Sequence, residues 1–393
     1  MHQKNDKRLF LMMNGFFNWN FFCMAILTLI FVESKAQVSN ESLENGFSFN
    51  ESKIKKVQFR FNSLIYVKNN EYFNEIADGY TLFGYYLNPK ISYQPHEKVQ
   101  IELGAFAQKE FGSKGFKELQ PTFTIQIKQN DWKFLFGNIE GTVNHRMIEP
   151  LMGFEKLLSN PLEHGIQVKY QKQVSAKQIG RATGAKETYN DDEVFFDSWI
   201  DWQGSTSPGR TNQEYIWAGA NFYSRAVEIK GLKFKALTQL SVYHQGGQNI
   251  QSLLAVRTLI NPGLGIRVQK DFSNNQSLIA DNYYVGYFES PYRGSAYYLN
   301  TYRKHPKYQV GLSYWFSHYF TSPMGNHLFQ SQSQKYNNYD HYEPYRSILI
   351  FRLVRDWKVI DGLNISLRFE PHYDVQNGIF EHSEGVYLNY KFN

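Results

Sequence analysis

Three observations predict an all-β fold, a transmembrane antiparallel up-and-down β-barrel of about 16 strands. The chain ends in Gly385-Val386-Tyr387-Leu388-Asn389-Tyr390-Lys391-Phe392-Asn393. Successive strand side chains point to opposite faces, so Val386, Leu388, Tyr390 and Phe392 form an apolar face against polar Asn389, Lys391 and Asn393. The same period of two recurs along the chain, and beyond residue 36 no apolar run nears the roughly 18 residues a spanning helix needs. Aromatics make up 17% of the chain, yet mean hydropathy is −0.51. Lipid-facing rows flanked by aromatic girdles and alternating with a wet interior produce that combination.

The strands follow in order. Val99, Ile101, Leu103, Ala105 and Ala107 alternate with Gln100, Glu102, Gly104, Phe106 and Gln108. Phe123, Ile125 and Ile127 alternate with Thr124, Gln126 and Lys128, as do Ile166, Val168 and Tyr170 with Gln167, Lys169 and Gln171. Leu363, Ile365, Leu367 and Phe369 face away from Asn364, Ser366, Arg368 and Glu370. The sixteen segments are 55–66, 80–94, 98–110, 120–128, 132–139, 164–173, 193–203, 213–222, 233–244, 262–270, 276–287, 294–303, 307–319, 345–355, 362–374 and 383–392. Such a barrel joins its strands by long external loops and short periplasmic turns. Residues 67–79, 140–163, 245–261 and 320–344 suit the loops, and Pro95–Glu97, Gln129–Asp131, Asp271–Asn275 and Lys304–Pro306 the turns. Polar residues 174–192 interrupt this scheme: either they are a periplasmic insertion, or the strand count is off by a hairpin. Loop 140–163 carries an apolar stretch, Met152 to Leu158, which is expected to pack over the rim rather than fold back into the mouth.

Three parts are expected: residues 1–36, 37–54 and 55–393. The first carries Lys4, Lys7 and Arg8, then the apolar Phe21 to Val32, then Ser34-Lys35-Ala36. That is the layout of a secretory signal peptide cut near Ala36. Residues 37–54, polar and aperiodic, read as a periplasmic leader, and 55–393 as the barrel. Cys23, the sole cysteine, falls in the first part, so no disulfide or cysteine-ligated metal is expected. The remaining charge of about +4 is too mild for nucleic acid.

Alternation also assigns the inner wall. Arg60, Lys133, Lys169, Lys233 and Lys235 are expected to face the lumen, with Arg267, Arg346, Arg352, Arg368 and Lys391. Glu102, Asp197, Asp201 and Glu370 oppose them. A basic excess in a narrow pore favours anions, although the same charges also serve to pair with carboxylates. In Phe196-Asp197-Ser198-Trp199-Ile200-Asp201-Trp202, Asp197, Trp199 and Asp201 point inward, with Tyr215 and Trp217 on the next strand. An indole beside two carboxylates suits a sugar ring, the acids accepting its hydroxyl protons. The histidines of 320–344, His327 and His341, lack metal-ligand spacing. No cofactor, metal or catalytic site is predicted.

The terminal alternation with Tyr390 and Phe392, the leader and the sixteen segments resemble porin-like outer-membrane barrels of Gram-negative bacteria, in the aromatic, Asn-rich style of the Bacteroidota. In such barrels the closing strand, here Val386, Leu388, Tyr390 and Phe392, is the signal read by the barrel-assembly machinery. Asn393 departs from it, the aromatic usually being last. The resemblance implies an outer-membrane location, a lipid surround, and passive or facilitated diffusion of small hydrophilic solutes, sugars or anions among them. The alternative is a plugged barrel acting as surface glycan binder, adhesin or secretion-system component. Outer-membrane phospholipases and lipid A deacylases display a His-x-Ser pair. None of the eleven histidines here is followed two positions on by Ser, so no enzyme is expected; an outer-membrane lipid hydrolase, which would need a Ser/His pair at the outer leaflet, is kept as the residual third class.

Overall fold

The computed structural model describes residues 40–44, 46, 49, 53–171, 194–204, 213–246, 255–273 and 275–392. The expected signal peptide and residues 174–192 lie outside the described residues.

Sixteen antiparallel strands form one sheet. They are β1 (Val57–Glu71), β2 (Tyr80–His96), β3 (Val99–Glu110), β4 (Glu118–Gln129), β5 (Trp132–Asn138), β6 (His164–Gln171), β7 (Phe195–Trp202) and β8 (Glu214–Tyr223). After them come β9 (Leu232–Gly246), β10 (Arg257–Phe272), β11 (Gln276–Glu289), β12 (Tyr292–Lys304), β13 (Tyr308–His318), β14 (Tyr345–Ile360), β15 (Leu363–Asp374) and β16 (Ile379–Phe392). Strand β8 resumes as Val227–Ile229, and both pieces pair with β9. The sheet closes where β1 meets β16, from Phe61 opposite Phe392 to Glu71 opposite His382. Closure leaves no edge, so strand amides pair within the sheet rather than with water.

The period of two sets which row faces out. Along β1, Phe59, Ile65 and Val67 are exposed while Arg60, Leu64, Tyr66 and Lys68 are buried. Along β16, Val386 and Phe392 are exposed while Tyr387 and Asn389 are buried. Rows of large apolar side chains facing outward along most of the wall are the surface a lipid bilayer stabilises. Two-residue links at 97–98, 130–131, 230–231 and 361–362 lie at the end where β1 begins and β16 stops, and one, 290–291, lies at the other. The long connections 139–163 and 319–344 also lie at that other end, which is therefore the external one.

These two connections correct the expectation of a rim loop. They run into the barrel and interlock, Gly153 N–H donating to Met324 O at 2.8 Å and Asn326 N–H to Glu149 O at 3.0 Å. Glu155 accepts from Asn70 of β1 at 2.9 Å, while Ile148 N–H donates to Gln239 of β9 at 3.0 Å. In a ring of sixteen, β1 and β9 stand on opposite sides. The segment 139–163 therefore crosses the lumen. Ile148, Leu151, Leu157 and Leu158 are buried, and the last two lie in the one-turn helix α1 (Lys156–Ser159). A barrel of this girth has room for such a segment, and taking its apolar side chains out of water favours the fold by about 1.5–3 kcal/mol for each large one. At the terminal end Arg368 donates to Asn40 at 2.6 Å and Asn389 to Ser42 O at 2.7 Å. Glu44 then reaches Arg146 of the crossing segment at 3.0 and 3.1 Å.

Candidate functional site

Inside the barrel, cations and carboxylates are matched. Arg60 lies 2.5 Å from Glu102, which Lys90 also approaches at 3.1 Å. Lys133 and Lys169 share Glu140 at 2.8 and 2.9 Å. Arg267 grips Asp281 with two bonds of 2.8 Å. Arg352 spans Glu149 and Glu370, both at 2.8 Å, and Arg368 stands 4.0 Å from Glu149. Arg346 pairs with Glu343 at 2.5 Å and Asp374 at 3.3 Å, and Lys233 with Asp271 at 2.8 Å. Lys235 is buried among them. Glu140 and Glu149 belong to the crossing segment, so the basic wall acts as its anchor. Glu140 is buried, which opposes ionisation, but Lys133 and Lys169 outweigh that and hold its carboxyl well below the usual range.

The segment around Trp199 corrects the sugar-stacking expectation. The His145 ring lies flat on the indole, centroids 3.5 Å apart and planes 14° apart. A sugar would need that face. Gly219, opposite Trp199 on the next strand, crowds the indole too: a Cβ there would sit 2.4 Å from the ring. Asp197 contacts His145 Nδ1 and Glu163 contacts Nε2, both at 2.8 Å. With a carboxylate at each nitrogen, both must donate, which defines the imidazolium. Burial works against that charge, yet Glu163 and Asp197 prevail and raise the pKa to about 9. Asp201 accepts from His164 N–H at 2.7 Å and from Gln203 at 2.6 Å. Trp217 lies under Lys156, whose Nζ is 3.6 Å from the ring centre. Burial pushes that amine down to about 8. Tyr215 stacks on Tyr243 at 6.3 Å.

The lipid-facing side carries a cluster that sequence reasoning missed. On β1, β2 and β16 the outward apolar rows end at Val67, Phe83 and Val386, all exposed. One step further out, Asn69 pairs across the sheet with Thr81 and with Glu384, and Glu71 with His382. Thr81 Oγ1 donates to Asn69 Oδ1 at 2.6 Å. Asn69 Nδ2 donates to Glu71 at 2.7 Å and Glu384 at 3.0 Å. His382 Nδ1 meets Glu384 at 2.7 Å, which fixes the ring. Apolar surface resumes beyond, at exposed Phe73 and Phe380, and Phe369 flanks the imidazole at 6.2 Å. This is a polar island within a lipid-facing wall, where polar groups are costly. A base oriented by a carboxylate beside a hydroxyl and an amide is equipped for proton transfer. The signal available in sequence was the break in outward polarity at Glu384 and His382 within an otherwise apolar row.

Closed wall, apolar exterior and packed interior together define an outer-membrane β-barrel. The family described as lipid A 3'-O-deacylase-type matches residues 49–178 and 181–393, and the chain belongs to it. No curated protein matches. Similar solved structures include outer-membrane expressed OmpT of Vibrio cholerae, with 10% identity, TM-score 0.46, and 88% of this chain and 100% of that one covered. The anion-selective porin from Comamonas acidovorans gives 10% identity and TM-score 0.46, covering 86% and 100%. OccK11 (OpdR) of Pseudomonas aeruginosa gives 10% and 0.46, covering 90% and 99%.

Proposed function

We propose that this barrel is a lipid esterase of the outer leaflet, removing an ester-linked acyl chain from a glycolipid of the lipid A class. The observation that carries the reading is the hydrogen-bonded island Thr81–Asn69–Glu384–His382 on the outward face of the wall. Family membership supports it. In the reaction, His382 Nε2 takes a proton from water as the water oxygen bonds to the ester carbonyl carbon. The tetrahedral intermediate then breaks its bond to the sugar oxygen, which recovers the proton from the imidazolium. The products are a free fatty acid and a sugar hydroxyl. Asn69 holds Glu384, and Glu384 sets the tautomer of His382.

Mass spectrometry of lipid A from outer membranes carrying the protein tests this. The expected result is loss of one acyl chain, abolished by His382→Gln while the heat-modifiable folded band persists on gels. Lipid A unchanged by the wild-type protein overturns the proposal.

The second reading is diffusion of small hydrophilic solutes, anions preferred, favoured by the polar inner wall on sixteen strands. The lumen-crossing segment weighs against it. Steady open steps in planar bilayers with an anionic reversal potential are its signature, and a silent bilayer counts against it.

A further inference from the structure

Between the inner wall of β1–β5 and the base of the crossing segment lies a chamber of about 60 Å³. Its border charges are already matched, Glu102 with Arg60 and Lys90, and Glu140 with Lys133 and Lys169. The groups left wanting are neutral. Asn62 Oδ1, Asn88 Oδ1, Gln126 Oε1 and Asn138 Nδ2 are buried without a hydrogen-bond partner, and all four side chains line the chamber. Each residue is more than nine-tenths buried. Buried polar atoms without partners are costly, so four around one space point to something that satisfies them. The chamber also has an aromatic side, where the rings of Tyr86 and Phe106 lie 5.4 Å apart.

We infer that this chamber is a binding site for a small uncharged polyol, independent of the lipid chemistry on the outer wall. Three amide oxygens call for donors and one amide nitrogen calls for an acceptor, and a hydroxyl group supplies both. Carbon-bound hydrogens of the same molecule lie against the Tyr86 and Phe106 rings. With its charges internally paired, the chamber has no electrostatic preference for an ion. Size sets the upper limit: the space holds roughly four waters, which a three-carbon polyol replaces. Gly46 backs onto the same place, a Cβ there falling 3.1 Å from Glu140.

Saturation-transfer difference NMR on the detergent-solubilised full chain, with glycerol and with acetate as probes, tests the site. Glycerol is expected to show transfer and acetate none. Replacing two of the unpartnered amides, Asn62→Leu with Gln126→Leu, is expected to weaken glycerol binding roughly tenfold, as the loss of two hydrogen bonds implies. The folded band on unheated gels reports whether the double variant assembles. If it does not, Asn88→Leu alone is read by the same criterion. Transfer to acetate equal to that of glycerol, no transfer to glycerol, or glycerol transfer unchanged in the assembled variant each overturns the inference. Lipid A profiles are untouched by this outcome, so its failure is separate from that of the esterase.

Discussion

His145 shows how much one side chain organises here. Its two nitrogens tie Glu163 of the crossing segment to Asp197 of β7, and its ring covers Trp199. His145→Gln leaves two buried carboxylates facing each other without the cation that bridges them, and about 3–5 kcal/mol of stability is expected to be lost. Thermal unfolding of the purified barrel measures it. The pH dependence has a definite sign. A pKa raised from 6.5 to about 9 means the stabilisation is fully present below 6.5 and is lost as pH rises through 9. Lys156 acts in the opposite sense, its pKa being lowered to about 8, so its charged form is the costly one. The comparison to make is therefore wild type against His145→Gln, whose difference in Tm is expected to shrink between pH 6.5 and pH 10. A constant difference would show that the imidazolium is not what holds the segment.

At the scale of elements, the crossing segment is a strand-to-strand connection turned into a plug by four glutamates. Glu140, Glu149, Glu155 and Glu163 each meet a cation of the wall or of the segment itself. Replacing residues 143–162 by a short Gly/Ser linker is expected to empty the lumen and to yield steady conductance steps that the intact chain lacks. Planar bilayer recording decides it, and equal conductance with and without the segment argues against a plug. Gly219→Val drives a branched side chain into the Trp199 indole, since even a Cβ approaches to 2.4 Å. Overpacking of this kind typically costs about 1–3 kcal/mol, readable by the same unfolding measurement.

How much of this was legible before the structure divides along the same lines. Strand phase is a local property, because the backbone alternates whatever lies across from it, and all sixteen predicted segments coincide with observed strands. The inward direction of Arg60, Lys169, Asp197, Trp199 and Arg368 followed from phase alone. Their partners did not, since phase says nothing of what fills the space they point into. The four glutamates of 140–163, set against a cationic inner wall, were the available clue to the plug. His145, Glu163 and Asp197 are separated by 18 and 52 positions, beyond the reach of any spacing rule.

At the scale of the whole molecule, closure of the sheet does what no single strand does. Joining β1 to β16 sets Asn69 beside Glu384, 315 positions away, and completes the outer polar island. The outward rows are expected to behave as lipid contacts. Ile65→Arg, halfway up β1 and outward, is expected to cost about 2–4 kcal/mol in a bilayer. Folding titrations into lipid vesicles give the value, and a near-neutral effect there would indicate a water-facing wall.

Residue order alone sufficed for the sixteen strands and for which face of each turns outward, because alternation is written into every dipeptide. Whether the cylinder is hollow or filled, and which distant side chains share a hydrogen bond, was decided by three-dimensional packing. The reason is physical: pairing energies depend on separation in space, and only the closed, occupied barrel brings those partners within 3 Å of each other.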